Sequence, residues 1–263
     1  MTQVRRGLNR VNTKYLYVMG SESGAGKSTV CLGILAQLMV NGYLPGQLAY
    51  IKPVTQCLKK QAIALFCDKA QIPYRDIGDL VFRSGFSREF IAGHTQTSDE
   101  LMAAVLATIF SIGQGKSVVL VDGVGDPSVG SVVGVSNADV AAALSCRVLF
   151  VGKPGIGAAI DNTLLCVTFM RSKGIDDIGL IYNKVPVNLI FDIRKDVTKR
   201  ISELLPNATV FGFIGEDTLL DYFVNNNSNE KIADWFASCV DVKALLQDWL
   251  GLRQDMQERD GTA

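Results

Sequence analysis

The chain has 263 residues, 48% hydrophobic and 20% charged, an ordinary globular composition long enough for one large α/β domain or two small ones. Lys plus Arg equals Asp plus Glu at 26 each, and this zero net charge argues against a whole-domain attraction to nucleic acid. No uninterrupted apolar stretch of about 18 residues occurs, so no membrane partner is expected. The six cysteines (Cys31, Cys57, Cys67, Cys146, Cys166, Cys239) form no CxxC pair and read as buried thiols of a reducing compartment. With His94 as the single histidine, a histidine metal cluster or triad is not expected. Residues 1–14 are basic and lack the apolar core of a signal peptide. They read as a basic tail on a cytoplasmic protein, a mitochondrial presequence being the other reading.

Along the chain, 15–19 is a short apolar run suited to a buried parallel strand, and the spacing over 28–41 predicts a helix stopped by Gly42. Residues 48–54 read as a second strand, with Pro53 near its end, and 61–70 as a helix. Residues 76–93 mix aromatics and charges without a clear period. A helix over 98–113 is expected to begin at a Ser98 cap, with Asp99 and Glu100 in its first turn. Strands follow at 117–121 and 147–151, separated by a short helix at 137–144. A long helix at 158–173, a strand at 177–182 closing at Asn183, a helix at 192–205 and a strand at 209–214 complete the alternation. From Leu219 the pattern is mostly helical, interrupted at 225–229, with a polar end from 254. Alternation of this kind predicts an α/β fold, a mostly parallel sheet with helices on both faces. Ligands then bind beyond the carboxyl ends of the strands. The expected organisation is a tail at 1–14, a nucleotide-binding domain at 15–218, and a helical extension at 219–263 packed on the same domain.

One segment carries the chemistry. Gly20-Ser21-Glu22-Ser23-Gly24-Ala25-Gly26-Lys27-Ser28-Thr29 follows an apolar strand and opens a helix, the context of a phosphate loop. Gly24 and Gly26 allow backbone N–H groups to converge on phosphate oxygens, and the helix adds its positive end. Lys27 is expected to contact the outer phosphates and the Ser28 hydroxyl to ligate Mg²⁺. The expected ligands are therefore ATP and Mg²⁺. The strict pattern has a glycine where this chain has Ser21. Three other positions fit such a site. Asp122, at the end of a buried strand, suits a second magnesium contact, or else a turn or cap. Lys52, at a strand end, can neutralise a transferring phosphoryl group, or else is a surface lysine. Asn183 has a donor and an acceptor for an adenine edge, or else is a turn residue.

The loop resembles that of dethiobiotin synthetase, G-T-D-T-G-x-G-K-T, and of its relatives the cobyrinic acid diamide synthases and MinD/ParA ATPases. MinD/ParA proteins carry a second lysine five residues before the loop lysine, where this chain has Glu22 and dethiobiotin synthetases have an acid. Further along, Tyr50-Ile51-Lys52-Pro53-Val54 resembles the family's Y-K-P-V, and Val121-Asp122-Gly123-Val124-Gly125-Asp126 its V-E-G-A-G-G. Residues 155–173 resemble its G-x-G-x-I-x-H/N-T-L-L helix. Ile181-Tyr182-Asn183-Lys184 and Phe213-Ile214-Gly215-Glu216 resemble the segments bordering the base.

The resemblance implies a P-loop NTPase fold of the dethiobiotin synthetase type. It implies a ligase that phosphorylates a carbamate or carboxylate before ring closure or amide formation. Lys27, Lys52 and Ser23 would stand at the reacting end. Gly24, Ala25, Gly26, Lys27, Ser28, Thr29 and Asn183 would hold the nucleotide, and Ser28 and Asp122 the metal. A small diamine or carboxylate substrate, a role in biotin biosynthesis and a homodimer are implied with it. The chain departs from the family after Lys52, where no carboxylate falls at the position of its metal-binding aspartate. That departure motivates a second reading: a catalytically altered P-loop ATPase serving as a nucleotide-dependent binding or regulatory protein. Bulky Leu58 or Phe82 beside Lys52 would close a substrate pocket.

Overall fold

The computed structural model describes residues 13–55, 62–78, 80–216 and 228–252. Seven strands form one parallel sheet: β1 (Lys14–Gly20), β2 (Leu48–Ile51), β4 (Tyr74–Arg75), β6 (Val118–Asp122), β7 (Arg147–Gly152), β8 (Ile178–Val185) and β9 (Ala208–Gly215). Their order is β4-β2-β6-β1-β7-β8-β9, while β3 (Val54–Thr55) and β5 (Leu80–Val81) pair apart from it.

Each central strand is apolar on both faces because each face meets a separate core. On β1, Leu16 and Val18 enter one core while Tyr17 and Met19 enter the other; on β6, Val118 and Leu120 oppose Val119 and Val121 in the same way. The first core is covered by α1 (Lys27–Val40), α2 (Ala62–Ala70), α8 (Asn229–Cys239) and a π-helical turn at Lys243–Trp249. The second is covered by α4 (Ser98–Gly113), α5 (Asn137–Ala143), α6 (Gly157–Ser172) and α7 (Ile190–Leu204). Gly33 brings α8 close to α1: a Cβ there would lie 2.2 Å from the Phe236 ring. No helix among the described residues is long and apolar enough to cross a membrane.

The expected fold class is the one found, and the differences are local. The strand expected over 48–54 ends at Ile51, and Val54 and Thr55 pair with β5 instead. Pro53 has no N–H to continue the ladder, and the Lys52 N–H is the last in this stretch to reach β4, at Arg75 O, 2.8 Å. Residues 76–93 contain β5 and the short helix α3 (Phe86–Ile91). Helix α4 is capped by Thr97, not Ser98, because only Thr97 stands three residues before Glu100 and can close the reciprocal pair. β8 runs on to Val185 through register shifts, with Lys184 at φ 57°. Helix α7 begins at Ile190, two residues earlier than expected. Residues 1–12, 219–227 and 254–263, along with Leu58 and Gln61, lie outside the described residues.

Candidate nucleotide site

The switch point of the sheet lies at β1, flanked by β6 and β7. Strands there diverge in chain order and leave a crevice at their carboxyl ends. The loop of residues 20–26 crosses this crevice. The Gly20 N–H donates to Gly125 O at 3.3 Å and the Ser21 N–H to Val151 O at 2.9 Å, so the loop is tied to the segment after β6 and to the end of β7. Gly24 and Gly26 take φ 81° and 93°, which favours glycine. Gly26 is also sterically required: a Cβ there would lie 1.9 Å from Asn183 Nδ2.

Lys27 is buried and curls back so that Nζ donates to Glu22 O at 3.2 Å. Burial pushes its ammonium below the ordinary 10.5, against the pull of Asp122. Ser28 Oγ donates to Asp122 Oδ2 at 2.6 Å, Tyr50 Oη donates to the same oxygen at 2.7 Å, and Lys52 Nζ lies 3.5 Å from it. Asp122 is fully buried, and its Oδ1 accepts no hydrogen bond among the described residues. Burial, then the Asp122 charge, pushes the Tyr50 phenol well above its ordinary value, so it stays a donor.

The residues expected from the sequence converge. Ser23, Gly24, Gly26, Lys27, Ser28, Thr29 and Lys52 line one cavity of about 280 Å³. Ala25, Asn183 and Asp122 are buried around it. Lys52 is not a surface lysine but a buried ion-pair partner of Asp122. Asn183 Nδ2 donates to Ala25 O at 3.0 Å, so its donor braces the loop. Phe82 packs against Phe86, ring centroids 5.9 Å apart. Thr55 also lines the cavity, and the stretch after it in which the sequence lacks a carboxylate, residues 56–61, lies outside the described residues.

Three residues receive no role of their own from the sequence. Tyr50 stands two positions before Lys52, a spacing that puts both on one face of an extended chain. Lys184 also lines the cavity, placed by a left-handed backbone that no residue type announces. Asn137 fixes the segment after β6. Its Oδ1 accepts from Tyr17 Oη at 3.0 Å and the Val124 N–H at 3.2 Å, and its Nδ2 donates to Val124 O at 2.7 Å and Asp126 O at 2.6 Å. The reciprocal cap formed by Ser136 and Asp139 holds it in place at the start of α5. Asn137→Ala strands buried polar groups and is expected to cost about 2 kcal/mol in urea unfolding. A change within experimental error would show that this staple is dispensable.

A glycine cradle at a helix N-terminus, two ammonium groups, a serine hydroxyl and a bare buried carboxylate oxygen together fit a nucleotide polyphosphate with its divalent ion. The family described as AAA domain (AAA_26) matches residues 14–222. No curated protein matches the chain by sequence. Among solved structures, the MinC:MinD cell division protein complex of Aquifex aeolicus is similar at TM-score 0.53 and 14% identity, over 86% of this chain and 94% of that one. MinD of Aquifex aeolicus follows at TM-score 0.50 and 14% identity, over 86% and 96%. A plasmid partition protein from Borrelia burgdorferi bound to AMPPNP gives TM-score 0.48 and 16% identity, over 86% and 99%. At such identities the likeness concerns the fold, while the family match spans most of the chain. The chain belongs to the AAA domain family and is a nucleotide-binding P-loop NTPase.

Proposed function

We propose that the chain is an ATP- and magnesium-dependent ligase of the dethiobiotin synthetase type, activating a carbamate or carboxylate by phosphorylation. The observation that carries this reading is the pair of lysines, Lys27 and Lys52, lining the same cavity beside the Ser28–Asp122 hydrogen bond. A site that only binds nucleotide needs one lysine at the phosphates. A second, lining the same cavity, suits charge developing on a transferring phosphoryl group. Glu22 in the loop supports the synthetase branch.

In this reading the loop amides and Lys27 hold the β- and γ-phosphates. Lys52 orients the attacking carboxylate oxygen, and Ser23 borders it. That oxygen bonds to the γ-phosphorus as the bond to the ADP oxygen breaks. An amine of the substrate then displaces phosphate from the acyl carbon. Ser28 and Asp122 would hold a magnesium ion, which would supply charge neutralisation on the phosphates. Asn183 serves the nucleotide by bracing Ala25 and adjoining the base. Residues 15–218 form the nucleotide-binding unit, with a basic tail before it and a helical extension on it. The packing of α8 on α1 supports the extension.

The test is ADP release with 7,8-diaminopelargonate, CO₂ and ATP, where substrate-dependent stimulation is expected. Intact ATP binding with no stimulation by the diamine contradicts the ligase. The second reading, a nucleotide-dependent binding protein that dimerises, is favoured by Val187, Leu189 and Phe191, large apolar side chains exposed just after Lys184. ATP-dependent assembly in gel filtration without diamine-stimulated turnover would select it.

A further inference from the structure

The mechanism above leaves Tyr50 without a role, although it is fully buried and bonded to the central carboxylate. Ser28, Tyr50 and Lys52 all approach Oδ2 of Asp122, at 2.6, 2.7 and 3.5 Å, while Oδ1 accepts no bond among the described residues. Donors gathered on one oxygen fix the rotation of the carboxylate and present the other oxygen bare. These holders are not equal. The Ser28 hydroxyl is assigned to the metal, and Lys52, on a flexible stem, to the reacting group. Tyr50 is the rigid one: its ring is packed in the core between the sheet and α1, and its hydroxyl has no competing duty in that reading. Its position follows from strand geometry, since Tyr50 lies on β2 directly beside β6, paired with Leu120 and two residues short of the level of Asp122.

We infer that Tyr50 is a positioning residue, whose hydroxyl holds the Asp122 carboxylate in the orientation that meets the magnesium of the bound nucleotide. This rests on the reading of Asp122 as a magnesium contact. Partners that orient a ligand from behind typically change metal affinity by about 10- to 100-fold when removed.

Tyr50→Phe keeps the ring and removes the hydroxyl. ATP affinity is measured by calorimetry in EDTA and across a Mg²⁺ titration. The expected result is unchanged affinity in EDTA, with the Mg²⁺ needed for half-maximal tightening raised about tenfold. Tyr50→4-aminophenylalanine keeps an N–H donor and is expected to restore the wild-type requirement, which also separates the bond from any loss of folding. Asp122→Asn serves as the reference. If it raises the Mg²⁺ requirement and Tyr50→Phe does not, Tyr50 has no positioning role. If Tyr50→Phe weakens binding equally in EDTA, its role is structural and the inference is overturned. If Asp122→Asn changes nothing, the assignment of Asp122 fails and this inference with it.

Discussion

Lys27→Met is expected to weaken ATP binding about 100-fold, about 2.7 kcal/mol, without loss of folding. Lys27 is buried, and its ammonium sits inside the curl of the loop against Glu22 O at 3.2 Å. A phosphate oxygen arriving in the cavity would meet a cation already stripped of most of its water, which makes a charge-assisted bond strong. Burial disfavours that charge in the free protein, as its lowered pKa records. Methionine keeps an unbranched apolar stem, one atom shorter, while removing the charge. The variant should therefore melt no lower than the wild type while binding collapses. Calorimetry and a thermal melt check the two halves. An affinity within threefold of wild type would contradict the placement of Lys27 at the phosphates.

Asp122→Ala is expected to act on stability, by about 3–5 kcal/mol in urea unfolding. Asp122 is fully buried and balances Lys52, itself nearly buried, at 3.5 Å, while accepting from Tyr50 and Ser28. Removing the carboxylate leaves an ammonium in the interior without its counter-charge and takes the acceptor from a buried phenol. Asp122→Asn keeps an acceptor oxygen and should cost less than half as much. A loss below 1 kcal/mol for Asp122→Ala would mean that the pair is solvated in solution.

The phosphate loop was legible because its constraints are local. A strand, glycines free to take positive φ, a lysine and a helix start lie within residues 14–40. The parallel sheet was legible because strands buried on both faces become continuous apolar runs, as on β6 and β7. What escaped depends on contacts far apart in sequence. Asp122 meets Tyr50 across 72 positions, and Asn183 braces Ala25 across 158. The sequence marks Asn183 as a residue for the base, and the bond from its Nδ2 to the loop is a contact that no local pattern announces. Lys184 reaches the cavity through a register shift at the end of β8, which depends on pairing with β9 and not on local preference. The split of 48–54 into two strands is the opposite case. Pro53 stands plainly in the sequence, and its missing N–H divides the stretch into β2 and β3.

The central claim is that residues 20–29 and the carboxylate behind them bind ATP with magnesium. Calorimetric titration of the purified chain with ATP, with and without Mg²⁺, tests it most directly, with Lys27→Met as the reference. The account predicts saturable binding of one ATP per chain, tightened by Mg²⁺ and lost in the variant. Absence of saturable heat at millimolar ATP with Mg²⁺, or equal binding by the variant, would contradict it.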